Sequence, residues 1–269
     1  MTTFQRPELL MQRYGIVTPE QIDLEALAWL LNARVRYRPL DGCEAQIMGI
    51  RDRAIITIDD RGGAERARFS LGHEIGHWQC HKNQNLHCSK EVIGSTRDAG
   101  SAKEWQADTY SAGLLMPRYM FEPRAKSYDR PSFRSISELA SEFRISRTAT
   151  ALRFVGTDPV YSILICYGPN GRNWFRKSRN WPSTLIPARE VGANSDVLGL
   201  LFERCTEARD ARREPASTYF NGNDLQDEEV FAHAVRTGAS DDPVGRSVMV
   251  LVVPVRSRLI ELAERRSAW

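Results

Sequence analysis

Two histidines and a glutamate within one short segment are the residues of this sequence best suited to chemistry. His73, Glu74 and His77 form an H-E-x-x-H pattern, in a stretch that is predicted to be helical over residues 68–81. Residues four apart lie one turn above each other, so both imidazoles can reach one metal ion. Neutral imidazole suits zinc, and Glu74 is placed to take a proton from a water molecule at the metal. The pattern predicts metal-assisted hydrolysis, most simply of an amide bond.

The rest of that helix favours this interpretation over a surface helix that carries two histidines by chance. At about 100° per residue, polar and apolar residues separate onto different sides. One side carries Ser70, His73, Glu74, His77 and His81, and another carries Leu71, Ile75 and Trp78. Gly76 costs about 1 kcal/mol of helix stability relative to alanine. That cost makes sense if another backbone must approach the helix closely.

A hydrolytic zinc site needs a third protein ligand and an open position for water. His81 follows His77 by four residues, whereas the metzincin pattern places its third histidine six residues beyond the second. Glu104 is the better candidate, because it begins a second predicted helix that Pro117 stops. Asp108 lies one turn further on, so one carboxylate can bind the metal while the other accepts the N–H of a ligand histidine.

Alternatives to these assignments remain open. Glu104 also completes a Ser-x-x-Glu capping box that begins at Ser101, in which it would satisfy the start of its own helix. Glu91 and Asp98 are other carboxylates in this region, but they fall in a loop-like stretch. A second zinc site is a further alternative, although the spacing of its residues does not match a familiar zinc finger. Its four residues would be Cys80, His81, His87 and Cys88.

Two segments together resemble the ImmA/IrrE family of metallopeptidases. The first covers residues 66–77 and includes Phe69 ahead of the histidines; the second covers 104–117 and ends in Leu-Leu-Met-Pro. A further histidine soon after the motif is common in the family, and His81 matches it. The resemblance implies a gluzincin-like zinc site with Glu74 as the base. Its ligands would be His73, His77 and Glu104.

The resemblance also implies a function. Family members are intracellular regulatory proteases that cleave or antagonise helix-turn-helix repressors in mobile-element or stress-response switches. The expected partner is therefore a protein substrate, a DNA-binding repressor. The alternative is a zinc-binding regulator or repressor antagonist that does not cleave. The chain departs from the family pattern at Gln106, Tyr110 and Ser111, where glutamate, phenylalanine and alanine are frequent, and none of these changes removes a proposed ligand.

The elements that must position this site predict an α+β, zincin-like peptidase domain over residues 1–125. A helix is expected at 7–14, and Asp23 is expected to cap another that runs through Leu31. Strands are expected at 34–38, 46–48 and 54–58, the first of them an edge strand because it alternates basic and apolar residues before Pro39. The metal helices would pack on one face of this small sheet. A sheet edge beside the cleft can bind an extended peptide.

A helix-turn-helix-like segment is predicted over residues 126–158, after a linker-like stretch at 118–131. Leu139, Ala140 and Phe143 would pack the first helix, Ile145 would fill the turn, Ser146 would cap the second helix, and Ala149 with Leu152 would pack it back. Arg147, Thr148 and Thr150 would then face a DNA groove. The favoured alternative is a helix pair that completes the peptidase core or docks the repressor. Arg144 occupies the turn, where DNA-binding motifs often have glycine.

The last part of the chain, residues 159–269, predicts a separate α+β domain. The family resemblance implies a GAF-like, sensory domain as one interpretation, because some members carry such a domain in this place. A β-hairpin is expected at 161–177, a central strand at 247–253, and a terminal helix at 256–266 that buries Leu259, Ile260 and Leu262. His233 is predicted in a helix, as a packed core residue. The basic, aromatic stretch 174–181 could stack on nucleotides, but a hairpin with packing tryptophans is the favoured interpretation.

Composition indicates a globular, cytoplasmic enzyme. The chain has 269 residues, 42% of them hydrophobic, and its net charge of +3 is weak evidence for a nucleic-acid partner. No apolar run reaches the roughly 20 residues of a membrane helix, and the N-terminus lacks the apolar core of a signal peptide. We therefore expect no membrane partner. Five cysteines without a repeated spacing suggest reduced thiols.

Overall fold

The computed structural model describes residues 6–82, 102–202, 207–208, 210–222, 225, 227–237 and 245–265. It is a mixed α+β structure with two sheets, which confirms the predicted class. The chain divides into two compact units. The N-terminal unit comprises residues 1–123 and 140–146, and the C-terminal unit comprises 124–139 and 147–269. None of the described helices combines the length and the apolar character that a membrane span requires.

Three short strands form the sheet of the N-terminal unit. They are β1 (Ala33–Tyr37), β2 (Ala45–Ile50) and β3 (Arg53–Ile58). Their spatial order is β1-β3-β2, with β1 parallel to β3 and β2 antiparallel to it. The prediction that the basic, alternating strand lies at an edge is therefore confirmed. Arg51, in the tight β2–β3 turn, has a φ of 57°.

Four α-helices precede residue 116 in the described part of the chain, and the first two begin where the sequence predicts. The four helices are α1 (Pro7–Arg13), α2 (Leu24–Leu30), α3 (Ala64–Cys80) and α4 (Ala102–Leu115). Pro7 opens α1, where its missing N–H costs nothing. The Asp23 carboxylate accepts the backbone N–H groups of Glu25 and Ala26 at 2.9 and 3.0 Å, so it caps α2 as predicted.

Helix α3 packs on one face of the sheet, and α4 packs on α3 and α1. The buried side chains of β3 that face α3 are Ala54, Ile56 and Ile58. At the far end of α3, the Trp78 indole N–H donates to the Leu31 carbonyl at 2.7 Å. A methyl group on Gly49 of β2 would lie 2.8 Å from the Trp78 ring, so only glycine fits there. The sheet and Trp78 together hold α3 in place.

The stretch 118–131 is not a linker throughout, because residues Arg118–Lys126 form helix α5. The prolines in this region suggested the linker, and Pro123 does lie inside the helix. Met120, Phe121 and Ala125 are buried, however. Burying such side chains stabilises the helix by an amount comparable with the roughly 3 kcal/mol that an internal proline costs. Tertiary packing has overridden local propensity here.

Two helices follow, α6 (Phe133–Phe143) and α7 (Arg147–Thr157), as the sequence predicts. Arg144 in the turn between them has a φ of 54°, a left-handed conformation that glycine adopts more readily. Thr150 was expected to face a DNA groove, but it is buried. Ala149 and Leu152 are only half-buried. The apolar side of α7 instead presents Ala151, Phe154 and Val155. Within the C-terminal unit, α7 packs on strands β4 (Ile163–Gly168) and β5 (Gly171–Lys177).

The C-terminal unit contains a five-stranded antiparallel sheet in the order β5-β4-β8-β7-β6. The remaining strands are β6 (Arg212–Pro215), β7 (Glu229–Thr237) and β8 (Ser247–Pro254). The predicted hairpin is β4–β5, and the predicted central strand is β8. Helix α8 (Asp196–Phe202) packs on β7 and β8. The last described helix, α9 (Arg258–Arg265), buries Leu259 and Ile260 as predicted, but Ala263 rather than Leu262.

His233 lies in a strand, β7, so its predicted helical position is wrong. Pairing with strands on both sides outweighs the local preference. Its predicted packing role is confirmed, because the side chain is 4% exposed. Its Nδ1 accepts the N–H of Phe133 at 3.1 Å, and its Nε2 lies 3.0 Å from the Ala208 carbonyl oxygen. A carbonyl can only accept, so Nε2 carries the proton and His233 is a neutral, structural imidazole.

Candidate metal centre

The interface between α3 and α4 is unusually close, because two glycines of α3 face α4. A methyl group on Gly76 would lie 2.6 Å from the Ala107 carbonyl oxygen, and one on Gly72 would lie 2.6 Å from Ser111 Oγ. At Gly76 the clash is with backbone, so a side chain with a Cβ atom there would force the helices apart. The close approach predicted from Gly76 is therefore confirmed, and it brings the carboxylates of α4 to the histidines of α3.

Three potential ligand atoms converge at this interface. His73 Nε2 and His77 Nε2 are 2.9 Å apart, and each is 3.2 Å from Glu104 Oε2. A tetrahedral ion with ligand bonds of about 2.0–2.2 Å would hold its ligand atoms about 3.3 Å apart. Both imidazoles are fully buried, while the Glu104 side chain is 18% exposed. The three groups therefore have the spacing and the chemistry to hold a divalent metal ion.

Asp108 fixes the orientation of the first histidine. Its Oδ1 lies 2.8 Å from His73 Nδ1. An ionised carboxylate can only accept, so the proton of a neutral His73 is on Nδ1 and its Nε2 presents a lone pair to the centre. The sequence predicted this division of labour between two carboxylates one turn apart, and the distances agree with it.

The second histidine has an outer partner that the sequence did not predict. His77 Nδ1 lies 3.2 Å from His81 Nδ1, and His81 Nε2 lies 3.0 Å from Gln106 Oε1. Since an amide oxygen accepts, His81 Nε2 carries a proton, and a neutral His81 has a lone pair on Nδ1. That lone pair accepts the Nδ1–H of His77. The Nε2 of His77 is then left as a lone pair facing His73 and Glu104.

The charges of the three groups suit a cation. Burial, with His73 nearby, lowers the pKa of His77 to about 4, so this imidazole is neutral near pH 7. The contact with His73 holds the pKa of Glu104 below its ordinary value, so this group is a carboxylate. Two imidazole lone pairs and a carboxylate thus meet at contact distance with no proton among the three atoms. A metal ion bound between the three atoms would offset the repulsion between their lone pairs.

Glu74 lies in α3 beside His73 and is fully buried. Tyr110 of α4 is also buried, and burial raises the pKa of its hydroxyl, so this phenol stays protonated at neutral pH. A buried glutamate within a ligand-bearing helix turn is consistent with the predicted base. Its role remains a prediction.

Several residues singled out from the sequence lie outside the described part of the chain. They are His87, Cys88, Glu91, Asp98 and Ser101. The capping box and the second zinc site therefore stay predictions. Burial raises the pKa of the Cys80 thiol to about 11, so this thiol is protonated near pH 7. A zinc ligand must be a thiolate, so this shift does not favour Cys80 as a ligand. The signal for the missed His81–Gln106 pair was present in the sequence, because His81 follows His77 by one helical turn and Gln106 is close to Glu104.

Residues 30–155 match the model of the Peptidase_M78 family, which is described as an IrrE N-terminal-like domain. This segment carries both helices of the candidate metal centre. For this segment, which makes up slightly less than half of the chain, the resemblance to the ImmA/IrrE family inferred from the motifs is confirmed.

A solved structure of a Mycobacterium tuberculosis transcriptional regulator is similar to this chain, with a TM-score of 0.60 and 14% sequence identity. The similarity covers 92% of this chain and 74% of that one. At this identity the similarity concerns the fold alone. A comparison with curated protein sequences gives no match.

Proposed function

We propose that this protein is a zinc-dependent endopeptidase that hydrolyses a peptide bond in a regulatory protein, a helix-turn-helix transcriptional repressor, inside the cytoplasm. The observation that carries the proposal is the triangle formed by His73 Nε2, His77 Nε2 and Glu104 Oε2, with sides of 2.9, 3.2 and 3.2 Å. The match of residues 30–155 to a peptidase family model supports a hydrolytic role for that triangle.

The donor set of two imidazoles and one carboxylate is that of a hydrolytic zinc site with one position left for solvent. Zinc held by these three residues would supply a water ligand with a pKa lowered from 15.7 towards about 7. Asp108 and His81 keep the two histidines in the tautomers that direct Nε2 to the metal. Glu74 takes the proton from the attacking water and returns it to the leaving amine.

The rival function is a regulator that binds zinc without cleaving. In that case the metal is structural or sensory, and residues 126–158 sequester a repressor or bind DNA. The transcriptional regulator that this chain resembles in fold is consistent with a role in gene control. Arg147 and Thr148 at the start of α7 are exposed, whereas Thr150 is buried, so fewer side chains remain for a DNA groove than the sequence suggested. The C-terminal unit, for which a GAF-like domain is one interpretation, would supply the regulatory signal.

Co-expression tests the proposal. The chain is expressed together with the helix-turn-helix repressor encoded beside its gene, and the repressor is followed by immunoblot and by mass spectrometry of fragments. We expect the repressor to be cut at one position. With the purified proteins, cleavage should stop when a chelator is added and return when zinc is added. An intact repressor at equimolar protein and full zinc occupancy would reject the proposed cleavage.

The variant Glu74→Gln separates the two functions. A structural zinc needs no general base, so a regulator would be unaffected, while a protease would lose about 10²–10⁴-fold in rate. We expect Glu74→Gln to retain zinc and repressor binding and to lose cleavage. Glu65→Gln, on the exposed first turn of the same helix, is the matched control and should cleave normally.

A further inference from the structure

The face of the N-terminal sheet that points away from α3 carries an exposed apolar patch. Met48, Ile50 and Ile55 are 59%, 69% and 42% exposed. Met48 pairs with Ile55 across the strands, and Ile50 is two residues along β2 from Met48, so the three side chains are neighbours on one face. Strand residues of the opposite parity, such as Ile47 and Ile56, are buried towards α3.

Arginines border this patch. Arg34 of β1 lies opposite Ile55, and Arg53 of β3 lies opposite Ile50. Arg36, one pair further along, donates from Nε to Thr57 Oγ1 at 2.8 Å. Among the described residues, neither Arg34 nor Arg53 takes part in an ion pair. We call this surface the outer face; it consists of Arg34, Arg36, Gln46, Met48, Ile50, Arg53, Ile55 and Thr57. The three strands contain no aspartate or glutamate, so the outer face is basic and apolar without an internal counter-charge.

We propose that the outer face docks an acidic amphipathic helix of a partner protein. A helix would bury Met48, Ile50 and Ile55 under its apolar stripe, and carboxylates beside that stripe would meet Arg34 and Arg53. Such a helix would complete a second layer on a sheet whose other face α3 already covers. Strands of five to six residues are about 17–20 Å long, which a helix of about 12 residues spans.

The composition of the outer face selects this occupant over two others. Nucleic acid would use the arginines, but the patch between them offers aliphatic side chains and no aromatic ring for base stacking. A second copy of this face would place arginines against arginines without any carboxylate on the strands to offset them. An acidic, amphipathic segment matches both the apolar centre and the charged border.

Docking of a helix on the outer face does not depend on proteolysis. The outer face and the face that packs on α3 are opposite sides of the same sheet, so a docked helix leaves the metal centre accessible. The partner therefore need not be the substrate segment that is cleaved. A test that measures binding gives an answer whether or not the metal centre is catalytic.

The test uses the full chain and three fluorescein-labelled probes. The first is a 14-residue peptide with leucine at the spacing i, i+3, i+4, i+7, glutamate at positions flanking the leucines, and alanine elsewhere to favour a helix. The second has lysine in place of every glutamate, and the third is a single-stranded 14-nucleotide DNA. Fluorescence anisotropy is measured at low and at physiological salt. We expect the acidic peptide to bind at least tenfold more tightly than either other probe, and more weakly at the higher salt concentration.

Variants locate the binding surface. Arg34→Glu with Arg53→Glu should weaken binding of the acidic peptide at least tenfold, and Met48→Ser should weaken it severalfold. The control is Arg176→Glu with Arg179→Glu, which reverses two exposed arginines of the C-terminal unit and should leave the affinity unchanged. Circular dichroism and zinc content confirm that each variant is folded.

Several outcomes would overturn the proposal. Equal affinity for the acidic and basic peptides would remove the electrostatic argument, and tighter binding of DNA would assign the face to nucleic acid. Affinity unchanged by the outer-face variants would place binding elsewhere. Self-association in sedimentation velocity that Met48→Ser abolishes would identify a second copy as the occupant.

Discussion

Gly76 of α3 and Ala107 of α4 lie in direct backbone contact, so that a methyl group on Gly76 would come within 2.6 Å of the Ala107 carbonyl oxygen and 2.9 Å of its Cα. This contact sets the distance between the two helices that carry the metal-binding groups. Ala107 precedes Asp108 and follows Glu104 by less than one turn. The glycine therefore determines whether the carboxylates reach the histidines.

Gly76→Ala should accordingly lower zinc content and thermal stability. At an exposed helical position the same change would stabilise the helix by about 1 kcal/mol, so the expected effect has the opposite sign to helix propensity. The loss of zinc is measured as zinc per chain by mass spectrometry, and the loss of stability as Tm by calorimetry. Gly156→Ala in α7 is the control, because its added methyl meets nothing within 4 Å. A Gly76→Ala protein with full zinc would mean that α4 moves aside without cost.

Glu104→Ala should reduce bound zinc to a small fraction of the wild-type amount at a fixed free concentration, because only two imidazoles remain. The two buried Nε2 atoms, 2.9 Å apart, would then have no carboxylate beside them to offset the charge of the ion. Glu65→Ala on α3 should keep its zinc. If the two variants retained zinc equally, the third ligand would lie elsewhere.

Gln106 should tune metal affinity through His81 although it does not touch the metal. Gln106→Leu removes the acceptor of the His81 Nε2 proton, so the tautomer of His77 is no longer fixed, and outer partners of this kind are worth about 10–100-fold in affinity. Gln106→Glu keeps an acceptor at the same place and should rescue binding. Competition with a chromophoric chelator measures both. Equal losses in the two variants would show that bulk rather than hydrogen bonding matters.

The metal-free protein should lose stability as the pH falls. The pKa of His77 is lowered by burial to about 4 in the folded protein, from a value of 6.5 in the unfolded chain. Between these values the unfolded chain binds a proton that the folded chain does not, so the free energy of unfolding decreases as the pH falls from 6.5 to 4. Below about 4 this contribution stops changing. Urea unfolding of the chelator-treated protein across this range gives the slope of the free energy of unfolding against pH. The variant His77→Asn should make this slope shallower. An unchanged slope would assign it to other groups.

The sequence by itself predicted much of the fold, because many of its signals are local. The Asp23 cap, the edge position of β1 and the central position of β8 all depend on residues within one element or its immediate flanks. The close backbone contact at Gly76 was also predictable, since a glycine inside a helix lowers its stability unless a neighbouring chain needs the space. The errors arose where packing outweighed local preference, as in the helix α5 that contains Pro123 and the strand that contains His233.

For the candidate site, spacing along one helix determined that His73 and His77 can share an ion, and the carboxylate pair at the start of the next predicted helix made Glu104 the candidate third ligand. Only the tertiary structure decided that Glu104 Oε2 lies 3.2 Å from both Nε2 atoms, and that His81 and Gln106 set the tautomer of His77. The physical reason is the distance along the chain over which each signal acts. Periodicity acts within a helix, whereas the approach of α4 to α3 depends on contacts that two glycines and a buried tryptophan of α3 make with segments far from them in the chain.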